Sequence, residues 1–325
     1  MSTGTAFGFQ VRCGAPLRFL RSGGGVESLD VVVASEPARR PATAPCADWP
    51  LAGRGGKVRG TLYQLHGTFE FWTTDIGAYR IDPEAGRIEI PACSDQLARE
   101  QRLWNTPAAL CFMHRGDIPL HAAAVEVDGG AVLLAAPHLH GKTTLALAFH
   151  RQGYRVLSED LACCRLDSEP TLLPSPALLR IRPDVYDGRP PAGTHLVAAR
   201  PGRVYLAVDD DRRGSGAPVP IVAIVFLRES AANGITIAPA AAATALRDLW
   251  ALGFHLPTRA ARARSFTQLT RLAGTIPAWN LYRPARLDAL DATVSRVVEA
   301  CRGLTKPLPG RTLAPGRRTT RKEAR

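Results

Sequence analysis

The chain has 325 residues, of which 46% are hydrophobic and 22% are charged, and its formal net charge is +12. This length and apolar content suffice for one sizeable core or two modest ones, which excludes a disordered chain and a small scaffold dependent on disulfides or metals. No apolar run of about eighteen residues and no N-terminal signal pattern occurs, so we predict a cytoplasmic protein without a membrane-spanning helix. The seven cysteines form no CxxC pair and are expected to be reduced thiols.

Much of the positive charge lies at the C-terminus. Residues 305–325 hold seven Lys and Arg against one Glu and are rich in Pro, Gly and Thr. A segment of this composition buries too little apolar surface to order itself, so we predict a disordered basic tail over 304–325. A solvated extension is the simpler interpretation, and an arm for nucleic acid or an acidic partner is the alternative. The remaining charge is spread along the chain and equally suits a nucleotide-binding protein, which argues against a nucleic-acid partner.

Residues 1–115 are predicted to form a β-rich region. Short apolar segments alternate with Gly and Pro up to about residue 60, and four clearer strand patterns follow them. These four patterns are Thr61–Leu65, Phe69–Thr73, Ala78–Asp82 and Arg87–Ile90. We expect an antiparallel sheet. The next segment, Cys93–Met113, predicts a helix that begins at Ser94 as its N-cap and is kinked or ended by Pro107.

Residues 116–303 have the pattern of an α/β domain. Leu120–Val127 and Gly130–Ala136 are two apolar strands joined by Asp128-Gly129, a dipeptide that favours a tight hairpin. The later strand patterns are Ala162–Leu166, Val204–Val208 and Ile221–Leu227, and the later helix patterns are Ala240–Leu252, Ser265–Leu272 and Ala285–Cys301. The connection 180–202 is long and dense in Pro, Gly and Arg, so it is predicted to be an active-site loop.

The segment after the second of these strands has the features of a phosphate-binding loop. The residues predicted to bind the cofactor are His138, Leu139, His140, Gly141, Lys142, Thr143 and Thr144. Such a loop needs inward N–H groups, a lysine that reaches the terminal phosphates and a hydroxyl that holds magnesium at the start of the next helix. Gly-Lys-Thr supplies one of each. The full pattern G-x-x-x-x-G-K-[ST] also requires glycine at position 136, where this chain has Ala136.

A pair of acidic residues follows the next apolar strand. Glu159 and Asp160 come directly after the strand pattern Arg155–Ser158. The C-terminal ends of strands are where open α/β sheets bind ligands, and an acidic residue at this position is the magnesium partner of a Walker A loop. A solvated acidic turn is the alternative. The order of strand, loop, helix and acidic strand end therefore predicts a site for ATP and Mg²⁺, with Thr143 and Asp160 as the candidate metal ligands.

Three segments resemble the core of HPr kinase/phosphorylase. They are Leu120–Val125, the Gly-Lys-Thr-Thr-Leu-Ala sequence from Gly141, and Gly153–Asp160. They look closest to the HPr-kinase-like kinases encoded with ribosomally made peptides such as lasso peptides. Weaker similarity covers Pro176–Pro183 and Pro277–Pro284. The resemblance implies an α/β fold with a P-loop core like the C-terminal domain of HPr kinase, preceded here by the antiparallel β-rich region.

The resemblance also implies roles for individual residues. His121 matches a histidine at the family's phosphate site, although a histidine hydrogen-bonded at a sheet edge is the simpler alternative. Glu159 and Asp160 match two adjacent aspartates, of which the first accepts the proton of the substrate hydroxyl and the second helps to hold magnesium. Glutamate is one methylene longer than the family's aspartate, so the attacking oxygen must sit differently.

Four basic side chains complete the predicted site. Arg180 and Arg182 have the spacing of one strand face and lie where the family's kinases approach the acceptor, so an arginine here is expected to neutralise charge on the γ-phosphate. Surface arginines are an equally good interpretation. His138 and His140 are assigned to phosphate contacts, because two histidines without a third nearby ligand are a poor zinc signature.

The sequence thus favours an ATP- and Mg²⁺-dependent kinase that phosphorylates a serine or threonine hydroxyl of a peptide or protein, and the resemblance suggests a homo-oligomer. The alternative is an ATP-binding sensor or scaffold in a biosynthetic pathway, which the loss of loop glycines supports. Retention of a lysine, a threonine and two acidic residues argues against that alternative. A nucleic-acid-binding module using the basic tail is a third hypothesis, and it requires a steep loss of affinity with salt.

Overall fold

The computed structural model describes residues 2–36, 38–51, 59–230, 234–302 and 304, so the predicted tail lies outside the described residues beyond Leu304. The first part of the chain contains β1 (Ser2–Ala6), β2 (Phe9–Cys13), β3 (Glu27–Val33), β4 (Ala47–Pro50), β5 (Arg59–Leu65), β6 (Thr68–Thr73), β7 (Gly77–Asp82), β8 (Arg87–Ile90), α1 (Gln96–Leu103) and α2 (Thr106–His114). The middle part contains β9 (Ile118–Leu120), β10 (Ala122–Val127), β11 (Gly130–Ala135), α3 (Lys142–Arg151), β12 (Val156–Ser158), β13 (Ala162–Leu166), β14 (Pro170–Leu173), β15 (Leu178–Ile181), β16 (Thr194–Arg200) and β17 (Arg203–Val208). The last part contains α4 (Asp210–Arg213), β18 (Val219–Glu229), β19 (Thr236–Pro239), α5 (Ala242–Leu252), α6 (Arg259–Thr275), β20 (Ala278–Arg283) and α7 (Leu290–Cys301), with short 3₁₀ turns at Pro183–Val185 and Leu287–Ala289.

The first eight strands form one sheet in the order β1-β2-β3-β8-β7-β6-β5-β4. All four strand patterns predicted between residues 61 and 90 are confirmed. The expectation of a purely antiparallel sheet is wrong, because β3 runs parallel to both β2 and β8. Parallel neighbours need a connection that returns the chain to the end of the sheet where the first strand began. The local alternation of apolar residues does not reveal such a connection.

Two helices follow this sheet where the sequence predicted one segment. The chain leaves helical geometry at Trp104 and Asn105, and Pro107 lies in the first turn of α2, where its missing N–H costs no hydrogen bond. The predicted N-cap Ser94 is wrong by one residue. The Asp95 side chain caps α1 by accepting the N–H of Ala98 over 3.0 Å.

The second sheet has nine strands and is mixed. β10 and β11 form the predicted hairpin, with Val127 opposite Gly130 across a turn in which Asp128 and Gly129 have φ values of 48° and 83°. The predicted strand 120–127 is divided, because Leu120 belongs to β9, which pairs with β13, and β10 begins after His121. β11, β18 and β20 are parallel neighbours. Their C-terminal ends therefore lie at one edge of the sheet.

Helices cover both faces of this sheet. Alternate residues of a strand point to opposite faces, and Val132 and Leu134 pack with α3 and α7 while Ala131 and Leu133 pack with α5 and α6. The molecule is thus a mixed α/β protein with several sheets, as the sequence predicts in its coarse form. Leu304 packs against the α3 and α7 side.

A small antiparallel sheet in the order β15-β17-β16 lies beside α3. Its residues Leu179 and Leu206 belong to the core that contains α3, whereas Leu178 and Tyr205 pack with Phe19 and with Leu97 of α1. The connection 180–202 is therefore not an irregular loop throughout, since its residues 194–200 are held in β16 by pairing with β17. In the described ranges, no helix is both long enough and apolar enough to cross a membrane.

Candidate functional site

The loop between β11 and α3 lies at the C-terminal end of the parallel strands. Leu139 and Gly141 have φ values of 68° and 79°, and Gly141 is the N-cap of α3. A Cβ at position 141 would collide with the guanidinium of Arg283, at the end of β20. The left-handed backbone favours glycine here, and a Cβ would in addition displace the end of the Arg283 side chain, which donates to the His140 carbonyl over 3.1 Å.

Lys142 begins α3 and is buried, with 5% of its surface exposed. Its ammonium group hydrogen-bonds to the carbonyl oxygens of Ala136 and Pro137 over 2.8 and 3.0 Å and to His121 Nε2 over 2.9 Å. The lysine is thus folded back over its own loop. Burial lowers its pKa, and the nearby Asp160 opposes this shift.

Thr143 connects α3 to the acidic pair. Its hydroxyl donates to Glu159 Oε1 over 2.6 Å. The Arg180 guanidinium spans both carboxylates, with Nε 2.7 Å from Glu159 Oε2 and an Nη 2.7 Å from Asp160 Oδ2. Two acidic residues that follow β12 are therefore held by one arginine from β15.

The two carboxylates differ in proton affinity. Burial raises the pKa of Glu159, and Arg180 only partly offsets it. Burial would also raise the pKa of Asp160, but Arg180 and His121 outweigh it and lower that pKa to about 2. The Arg180 pKa is raised because its own burial is outweighed by the two carboxylates. A buried pair of this kind can divide its work, with one group that takes up a proton and one that stays charged.

His121 lies between Lys142 and Asp160. Its Nδ1 is 3.2 Å from Asp160 Oδ1 and its Nε2 faces the Lys142 ammonium. Because an ammonium group only donates, this network assigns the imidazole proton to Nδ1. Burial lowers the His121 pKa, and the charge of Lys142 adds to the effect while Asp160 opposes it. The neutral imidazole thus links the loop lysine to the acidic pair.

The remaining predicted residues lie at the rim of this cluster. His138, Leu139 and His140 are exposed, and His140 Nδ1 is 2.9 Å from the His138 carbonyl oxygen. Thr144 lies in the first turn of α3. Arg182 binds Asp184 through two contacts of 2.9 Å at the surface and does not contact Glu159 or Asp160.

The cluster opens into a cavity of about 1070 Å³. Its lining includes the loop, the acidic pair and residues between Arg283 and Leu290, together with residues of α1, the segment 93–95 and the turn 201–203 between β16 and β17. Ligand sites commonly measure about 300 to 1,000 Å³, so this cavity has room for a nucleotide and part of a second molecule.

Sequence reasoning did not assign functions to Arg283 and Arg200. Arg283 occurs in the Tyr-Arg-Pro segment that gave the weaker resemblance, which was its only signal. Arg200 contacts both carboxylate oxygens of Asp95 over 2.7 Å, and their separation of 105 positions hides this relationship in the sequence.

No protein-family model and no curated protein matches this chain. Among solved structures, it is similar to the Hpr(Ser) kinase/phosphatase from Coxiella burnetii, at a TM-score of 0.30 and 11% identity, over 56% of this chain and 94% of that one. A similarity of this strength does not by itself assign a fold family or an activity.

Proposed function

We propose that this protein is an ATP- and Mg²⁺-dependent kinase that transfers a phosphoryl group to a serine or threonine hydroxyl of a peptide or protein. The observation that carries the proposal is the contact of Thr143 with Glu159 beside Lys142, at the start of a helix that follows a buried strand. A helix N-terminus offers N–H groups without intrahelical acceptors, and its dipole favours an anion. Gly141 and the first residues of α3 line the cavity.

The donor set fits a triphosphate and a magnesium ion. Lys142 is adjacent to the loop and can exchange the Ala136 and Pro137 carbonyls for phosphate oxygens. Thr143 and Asp160 would hold the metal, since Mg²⁺ takes oxygen ligands from one or two protein groups and fills its shell with water and phosphate. Bound there, the ion would neutralise charge on the phosphates.

The acidic pair then has two roles. Glu159, with its raised pKa, accepts the proton of the attacking hydroxyl, and Asp160 stays charged. Arg180 binds both carboxylates in this structure. In the reaction it would stabilise the negative charge that develops on the transferred phosphoryl group. Arg182 is a second candidate for this task once it leaves Asp184. His121 keeps the Lys142 ammonium oriented.

The test measures ATP binding by calorimetry and phosphate transfer to peptides, each with Mg²⁺. We expect Lys142→Ala to lower ATP affinity by tenfold or more and Glu159→Gln to keep binding while lowering transfer by about 10² to 10⁴. Glu299→Gln, at the exposed Arg296 pair on α7 and outside the cavity, is the matched control and should keep ATP affinity and transfer. Binding without transfer or hydrolysis favours the sensor or scaffold, and no binding contradicts both.

A further inference from the structure

Strand β16 is an edge strand with an open outer side. Among the described strands it pairs only with β17, and β17 pairs on its other side with β15. In the described part of the chain, no backbone group of residues 195–200 hydrogen-bonds to the backbone of an element other than β17. A strand rises about 3.3 Å per residue, and the N–H and C=O groups on its free edge can pair with one more strand.

The edge has little of the usual protection. Residues 194–200 include no Lys and no Pro, and the protective features are Arg200 at the end of the strand and a shift of register between Leu196 and Ala198. His195, Leu196 and Ala199 are exposed, and Leu196 is 45% exposed although it is a large apolar side chain. A partner strand would therefore find free backbone groups together with an apolar contact.

The strand leads directly into the cavity of the candidate site. The turn after β16 is formed by Pro201 and Gly202, and both residues line the cavity that also contains Glu159. Arg200, the last residue of β16, is fixed to the N-cap residue Asp95 of α1 by two contacts of 2.7 Å. A strand laid along β16 thus ends at the cavity that Glu159 and Asp160 also line.

One side chain at this end has an uncommitted charge. Arg203 donates to the carbonyl of its neighbour Gly202 over 2.9 Å and forms no ion pair with the described residues. Its guanidinium is close enough to His138 to act with burial and Lys142 in lowering that imidazole's pKa, against the opposing effect of Asp160. The cationic group thus lies near the loop and directly follows the turn at the end of β16.

From these features we infer that the free edge of β16 binds an extended polypeptide segment by backbone pairing, and that Arg203 pairs with an acidic side chain beside the acceptor hydroxyl. This inference rests on the proposed kinase function and names the docking mode of its acceptor. Main-chain pairing supplies affinity, and the few side-chain contacts supply selectivity.

The experiment measures phosphate transfer to short degenerate peptide libraries that contain one fixed serine, with Asp or Lys fixed next to it. Backbone pairing alternates along a strand, so N-methylalanine at every second position should abolish transfer in one parity and preserve it in the other. Ala199→Pro should raise the peptide KM by about fivefold or more, the effect of one lost hydrogen bond, and leave ATP affinity unchanged. Arg203→Gln should remove the preference for Asp over Lys.

Thr3→Pro is the matched control, because Thr3 is exposed on β1, an edge strand that does not line the cavity, and its non-hydrogen-bonded pair with Arg12 turns its N–H away from β2 as the pair with Val204 turns that of Ala199 away from β17. Equal losses with both N-methyl parities, or equal KM values for Ala199→Pro and wild type, would overturn the docking mode. Those outcomes leave transfer by the wild type intact. Absence of ATP binding overturns the kinase itself, and ATP binding without transfer to any library overturns the peptide acceptor.

Discussion

Arg180 Nε lies 2.7 Å from Glu159 Oε2, so the end of β15 is bound to the residue that follows β12. The contact is buried, with 17% of the arginine side chain and 8% of the glutamate side chain exposed. A buried charge is tolerated when it has a partner of opposite charge. Removal of one partner costs more free energy than the intact pair contributes to stability, because the other charge is left buried and unpaired.

Replacement of Arg180 by Met should therefore destabilise the fold by about 3 to 5 kcal/mol at neutral pH, because Glu159 and Asp160 lose their shared cation. Without Arg180 both carboxyls are expected to have raised pKa values in the folded state. The folded variant then binds more protons than the unfolded chain, so its stability deficit should shrink from pH 7.5 to pH 5.

Urea denaturation at the two pH values measures this effect. Arg182→Met is the control, since the Arg182–Asp184 pair is more than half exposed on both sides and should contribute less than about 1 kcal/mol. Equal losses in the two variants would show that the Arg180 contacts are not the support of the acidic pair.

Stability should also depend on pH near neutrality through His121. Burial lowers the pKa of this imidazole in the folded state. Between that lowered value and the ordinary value of about 6.5 the unfolded chain binds more protons, so the free energy of unfolding should fall as pH decreases below about 6.5. His121→Asn keeps an acceptor for Lys142 and removes the titrating group, so its unfolding curves should vary less between pH 7 and pH 5.

Burial lowers the pKa of His150 as well, where the imidazole contacts the Ala192 carbonyl. The double variant His121→Asn with His150→Asn should flatten the same pH dependence further. Single and double variants with the wild-type slope would contradict the assignment of the effect to these two imidazoles.

The sequence predicts the turns and loop conformations that depend only on neighbouring residues. The Asp128-Gly129 turn gives the hairpin because both residues accept positive φ, and Gly141 is found where the loop needs the same freedom. The Ser94 prediction failed by one residue because two adjacent residues are both good N-caps, and only the path of the chain selects Asp95.

Contacts between distant segments were harder to predict. The spacing of Arg180 and Arg182 predicts that both lie on one strand face, which is wrong because β15 ends at Ile181 and Pro183 begins a 3₁₀ turn. Arg180 therefore reaches the acidic pair, while Asp184 binds Arg182. The parallel pairing of β3 has the same cause, since it depends on where long connections lead and not on the strand itself.

Arg21 is a buried arginine, 2% exposed, that donates to backbone carbonyl oxygens and not to a carboxylate. Its guanidinium contacts the Ser175 carbonyl over 2.6 Å and those of Val156 and Leu157 in β12 over 2.9 and 3.2 Å. Arg21→Met should cost about 3 kcal/mol or more, since each buried carbonyl left without a donor costs about 1 to 3 kcal/mol.

The measurement is thermal and urea unfolding, with Arg12→Met as the matched control. Arg12 pairs with Asp30 at the surface, where both side chains are about half exposed, and its loss should be below about 1 kcal/mol. Because β12 leads into Glu159, Arg21→Met should also lower phosphate transfer. A fully stable Arg21→Met protein would show that β12 does not depend on this arginine.

The loop glycine allows two costs to be separated. Gly141→Ala places an L residue at φ 79° and drives its Cβ against Arg283. The backbone part costs about 1 to 2 kcal/mol, and the contact with Arg283 adds to it. Arg283→Met removes the guanidinium. In the Arg283→Met background, Gly141→Ala should therefore cost only its backbone part, so the free-energy effects of the two substitutions should be non-additive.

A double-mutant cycle by urea denaturation, with ATP affinity as a second readout, measures this coupling. Strict additivity would mean that Arg283 moves away from an alanine without cost, and the approach of Arg283 would then not be a reason for glycine at this position.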